Sequence, residues 1–87
     1  MHETGIVRDL VHRLEKTAIE AGAQRIVSAR IWLGALSQFS AEHFRLHFEE
    51  EAVNTRAQGA KLEIEQSNDP LHPSAQHVMM QSIELEV

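Results

Sequence analysis

The chain opens Met1-His2-Glu3, and these three residues hold its densest set of metal donors. The α-amine of Met1, the amide nitrogen of His2 and the Nδ1 of its imidazole can reach one ion together. They close a five-membered and a six-membered ring, both nearly planar. A tetragonal, nitrogen-rich field of that kind suits Ni(II) or Cu(II). The Glu3 carboxylate can supply a fourth position. The bulk of His2 disfavours removal of Met1, which keeps the amine where the chelate needs it. A tripeptide alone has little specificity, because His2 can also be an accident behind an initiator methionine.

A second set of donors lies further along. His43 and His47 are four residues apart on a predicted helix and share one face, so both can bind one ion; Glu50 follows one turn later. The same spacing also describes a solvated helix face, in keeping with the acidic run Glu49-Glu50-Glu51. The HExxH zinc-protease pattern is absent, since Phe44 follows His43. His12 falls among polar positions of an earlier helix, and His72 and His77 flank a turn; all three are expected in solvent.

The elements that must position these donors follow from periodicity. Ile6, Leu10, Leu14 and Ala18 form one stripe of a predicted helix from Glu3 to Ala21, with Gly22 as its C′ residue. Arg25 to Leu33 alternates as a strand, with Val27, Ala29, Ile31 and Leu33 toward a core and Ser28, Arg30 and Trp32 opposite. Trp32 is therefore expected on the outer sheet face, as a partner contact or covered by a neighbour. Ser40, with Ser37 as rival, caps a second helix from about Ala41 to Asn54, whose inward stripe is Ala41, Phe44, Phe48 and Ala52. Lys61 to Glu65 reads as a strand, and Pro70 and Pro73 mark a short turn at about 68–76. Val78 to Val87 reads as a third strand with Ile83, Leu85 and Val87 inward. The order α-β-α-β-β predicts a two-layer α+β domain, two helices packed on one face of a three-stranded mixed sheet, the other face open and charged.

Composition narrows the functional classes. Eighty-seven residues make one small domain with a thin core. There is no cysteine, hence neither a disulfide nor a thiolate zinc site within this sequence. A net charge of −5 argues against nonspecific nucleic-acid binding, which needs a basic stripe. No apolar run approaches the roughly 18 residues of a membrane span. The N-terminus lacks the basic start and cleavage site of a signal peptide, so the cytoplasm is the expected compartment. No nucleophile–base pair or Gly-rich phosphate loop points to an enzyme.

Taken in order, these residues resemble the nickel metallochaperone family HypA/HybF of [NiFe]-hydrogenase maturation. The resemblance rests on Met1-His2-Glu3, Gly22-Ala-Gln-Arg-Ile26, Ile31-Trp-Leu-Gly-Ala-Leu-Ser37, Glu42, Phe48-Glu49, Thr55 and Gln58-Gly-Ala-Lys-Leu-Glu-Ile-Glu65. The closing Ile83-Glu-Leu-Glu-Val87 resembles the family's last strand. The resemblance implies transient Ni(II) held at Met1, His2 and Glu3. It also implies a hydrogenase large-subunit precursor as recipient, and a nickel-delivering GTPase of the HypB kind or a second copy of the chain as partner. The family's two CxxC pairs, in a zinc module between the second and third strands, have no counterpart here, so no structural zinc is expected. A scaffold or interaction role in a hydrogenase-related complex is the alternative.

Overall fold

The computed structural model describes residues 3–87, with side chains from residue 5 onward. Five elements follow one another: α1 (Glu3–Glu20), β1 (Arg25–Leu33), α2 (Ala41–Glu51), β2 (Lys61–Gln66) and β3 (Val78–Glu86). The sheet order is β2-β1-β3, with β2 parallel and β3 antiparallel to β1. This is the α+β architecture expected, with α2 as the crossover between the parallel strands.

Helix α1 forms because Val7, Leu10, Val11, Leu14 and Ala18 make one continuous buried stripe. It stops at Gly22, whose φ of 71° lies in the left-handed region. There Gly22 N–H donates to Ile19 O and Ala23 N–H to Ala18 O, the paired bonds of a Schellman cap. The chain then reverses directly into β1.

Strand β1 departs from strict alternation. Ile26, not Val27, is fully buried, while Ala29, Ile31 and Leu33 face the core as expected. The register against β3 shifts between Ile26 and Ser28, so Val27 is the extra residue of a bulge, and parity flips across it. A second shift between Arg30 and Ile31 skips Gln81 on β3. Val78 and, beyond the skip, Ile83 and Leu85 therefore all pack against the core. Val87 lies past the strand end and is exposed, not inward.

Helix α2 is capped by Ser40, whose Oγ accepts the His43 N–H at 3.1 Å. Phe44 and Phe48 are buried between α1 and the sheet. The helix ends at Glu51, three residues before the expected Asn54. Asn54 has a φ of 66°, and the Thr55 hydroxyl donates to Ala52 O at 2.8 Å, satisfying a carbonyl that a further turn would have used. Among the described residues no helix is long and apolar enough to cross a membrane.

Residues 67–77 join β2 to β3 and fold back over the end of β1. Gly34 N–H donates to His77 O and Leu36 N–H to Ala75 O. A Cβ on Gly34 would stand 2.2 Å from Ala75 O. Gly34→Ala must therefore push the turn off the strand. We expect a loss of about 1–3 kcal/mol, read as a melting temperature lower by about 5–20 °C. An unchanged melt would mean that the turn does not lie against Gly34.

Candidate metal centre

The main sequence candidates, Met1 and His2, lie outside the described residues, and the side chain of Glu3 is likewise not described. What the fold fixes is where Glu3 begins. The Schellman turn makes α1 antiparallel to β1, and the crossover makes α2 antiparallel to β1 as well, so the two helices run parallel. Their register is set by side chains. Arg8 Nε lies 3.2 Å from Glu51 Oε1. One end further on, Glu15 Oε1 accepts from Arg56 N at 3.2 Å and from Arg56 Nη1 at 3.3 Å. The start of α1 and the start of α2 thus lie at the same end of the helical layer.

His43 and His47 are brought together at that end. Their Nε2 atoms are 3.0 Å apart, and the rings stand 4.5 Å apart with a 58° tilt. His47 is only 23% exposed, so the pair is not the fully solvated face that the acidic run suggested. Glu50 Oε1 lies 3.7 Å from His47 Nδ1, on the other side of the ring from the paired nitrogens, so Glu50 does not join the pair as a third donor. The first turn of α2 is itself anchored. Gln66 at the end of β2 accepts from Ala41 N–H at 3.2 Å and donates to Phe39 O at 2.8 Å. Phe39 packs edge-on against Phe44. No three His, Asp or Glu side chains converge as a metal site among the described residues. The described residues therefore bring together two imidazoles and no third donor.

Of the two readings open for Trp32, a partner contact or cover by a neighbour, the second is what the fold shows. Trp32 is 7% exposed. The His72 ring covers it at 4.8 Å with a 45° tilt, and Ala75 beside it is buried. His72 in turn accepts the Ser74 N–H on Nδ1 at 2.9 Å, and Asp69 Oδ1 accepts the Leu71 N–H at 3.0 Å. His72 is exposed, as expected, and one side of its ring also lies against the indole. The sequence clue was the pair of prolines bracketing Leu71-His72, which stiffens a turn short enough to fold onto its own strand. That sheet face also carries the Met79 side chain opposite Trp32 and several charged groups, with Arg25 paired to Glu86, the Ser28 hydroxyl donating to Glu84, and Arg30 facing Glu63.

Comparison with known proteins decides the family. Residues 1–72 match the model of a family described as "Hydrogenase/urease nickel incorporation, metallochaperone, hypA". The chain belongs to the HypA family. It is 36% identical over 66 residues to the hydrogenase maturation factor HypA of Roseiflexus sp. (strain RS-1), covering 76% of this chain and 54% of that protein. It is 32% identical over 65 residues to the HypA of Methanopyrus kandleri, covering 75% of this chain and 46% of that protein. The chain thus spans about half the length of these curated HypA relatives. The solution structure of the Ni metallochaperone HypA from Helicobacter pylori superposes with a TM-score of 0.80 at 17% identity, over 99% of this chain and 98% of that one. A second solution structure of HypA protein gives 0.77 at 19%, over 98% and 96%. At such identities these two likenesses establish the fold alone.

Removing the indole should act on stability. Trp32→Ala is expected to cost about 3 kcal/mol or more and to lower the melting temperature, with self-association by sedimentation unchanged. A loss of self-association at an unchanged melting temperature would restore Trp32 as a contact residue.

Proposed function

We propose that this HypA-family chain binds Ni(II) as transient cargo at Met1, His2 and Glu3 and serves as an accessory protein in [NiFe]-hydrogenase maturation. The family match over residues 1–72 carries this reading, because it includes the tripeptide whose donors form the chelate. The recipient on this reading is a hydrogenase large-subunit precursor. A HypB-like GTPase or a second copy of the chain is the partner, and the cytoplasm is the compartment. The chain is no enzyme on this reading: it holds and releases an ion. The sequence holds no cysteine, so this chain offers no thiolate site for zinc.

The chemistry of the site follows from its donors. The His2 imidazole must be neutral, with a reference pKa of ~6.5, and the Met1 amine must lose a proton, with a reference pKa of ~8. The ion itself drives loss of the His2 amide proton. Binding therefore releases protons and strengthens as pH rises. Release is favoured by acidification or by a recipient with better-placed donors. Cu(II) binds the same donors more tightly, so supply decides the cargo.

One observation favours the second reading, a scaffold or interaction module. The sequence carries no cysteine to build the thiolate zinc sites that the resemblance implies for the family. Nickel calorimetry on protein with an untagged N-terminus separates the two. We expect one Ni(II) per chain, affinity rising between pH 6 and 8, loss of tight binding in His2→Ala, and weakening when one residue is added before Met1. No Ni(II) affinity at neutral pH would leave the scaffold role.

A further inference from the structure

The sheet has two outer edges, and they are finished differently. Strand β2 is six residues long and carries exposed Lys61, Glu63 and Glu65. Its Leu62 O already accepts from Arg45 Nη2 at 3.3 Å, so a side chain of α2 reaches its backbone. Short, charged and covered edges resist an added strand.

Strand β3 has little of this protection. It is nine residues long, holds neither proline nor lysine, and runs Val78-Met79-Met80-Gln81-Ser82-Ile83 without a charge. Met79, Met80, Gln81 and Ser82 are all exposed. Its two carboxylates are engaged by β1: Glu86 pairs with Arg25, and Glu84 accepts from the Ser28 hydroxyl. They are held over the neighbouring strand instead of standing off the open edge. Among the described residues no strand lies beyond β3, and residues 78–85 make no backbone bond on that side. Such a row of free N–H and C=O groups accepts an extended strand.

The irregularity at Gln81, which has no partner on β1, decides which strand fits. Cross-strand partners share a face. Val78, Met80, Ile83 and Leu85 therefore line the helix side, opposite Leu33, Ile31, Ala29 and Ile26. Met79, Ser82, Glu84 and Glu86 line the other side, opposite Trp32, Arg30, Ser28 and Arg25. A second copy related by a two-fold axis normal to the sheet runs antiparallel and keeps each row on its own face. Both rows match when the axis falls between Gln81 and Ser82. Val78 then meets Leu85 and Met80 meets Ile83 on the helix side, while Met79 meets Glu84 on the other. His77, just before the strand, meets Glu86. No carboxylate meets another, and an imidazole stands beside one at each end. A parallel copy in register would set Glu84 and Glu86 against their own duplicates, which is unfavourable.

We propose that the chain dimerises by antiparallel pairing of β3 with β3 of a second copy, which joins two three-stranded sheets into one of six strands. This rests on the second copy named above as a partner, supplies the surface for it, and does not require nickel. Only a strand edge and its flanking side chains are buried, so the dimer is expected to dissociate on dilution.

The experiment is sedimentation of the full chain in EDTA over a wide range of concentration. Three proteins are compared: the natural sequence, Gln81→Lys with Ser82→Lys, and Gln81→Glu with Ser82→Glu. Both positions are exposed, and circular dichroism and thermal melts check that the fold is kept. The natural sequence is expected to show a monomer–dimer equilibrium. Each double variant alone is expected to associate at least tenfold more weakly, because four like charges meet at the axis. An equimolar mixture of the two variants is expected to recover a dimer of mixed composition. A natural sequence that stays monomeric throughout overturns the proposal and leaves the edge to an extended segment of another protein. Double variants as dimeric as the natural sequence, or a mixture no more associated than its components, overturn it as well. Because EDTA removes metal, none of these outcomes bears on the N-terminal chelate, and failure of nickel binding leaves the dimer untouched.

Discussion

Strand β1 has to be satisfied on four sides at once, and the rest of the fold is the way this is done. Its backbone is paired with β2 on one edge and β3 on the other. One face, through Ile26, Ala29, Ile31 and Leu33, lies under the two helices. On the other face Trp32 is covered by the His72 ring of the turn between β2 and β3. In a chain this small the central strand is where both backbone edges and both faces are covered, so the elements around it have little freedom in where they sit.

That constraint reaches the candidate metal centre through α2. The helix is pinned below by Phe44 and Phe48 and at its start by Gln66 and the Ser40 cap. With those contacts fixed, the face carrying His43 and His47 has one orientation, and the Arg8–Glu51 pair ties that orientation to α1. The ion pair itself is exposed on the arginine side and adds little stability. Its value is in reporting the register of two parallel helices whose starts converge.

Much of this was legible in the sequence. The stripes of α1 and α2, the Ser40 cap, the Gly22 stop and the α-β-α-β-β order all follow from local patterns, because each is set by residues within a few positions of one another. What the sequence hid was set by partners distant along the chain. The bulge at Val27 exists because β3 pairs with β1 in a shifted register, and nothing near Val27 announces it. Trp32 stood on the outer face as alternation required, but its cover comes from His72, forty residues later. The histidine pair was visible as a spacing; its 3.0 Å approach and its placement toward α1 depended on helix packing. The N-terminal tripeptide was the most explicit chemical signal in the chain, and it remains a matter of chemistry and kinship, since the described residues begin at Glu3.

The pairing of β1 with β3 has a consequence for how the chain reaches this state. Arg25 is opposite Glu86, so the register of the sheet's longest ladder is closed by residues 61 positions apart. Closing so large a loop costs entropy before any of its contacts form, and such pairings are slow. During synthesis the helices and the parallel β1–β2 unit can assemble first, leaving one edge of β1 without a neighbour. Until β3 has emerged that edge is an open row of backbone donors and acceptors, to which another nascent strand can bind. The last strand of the chain is therefore also its guard against aggregation.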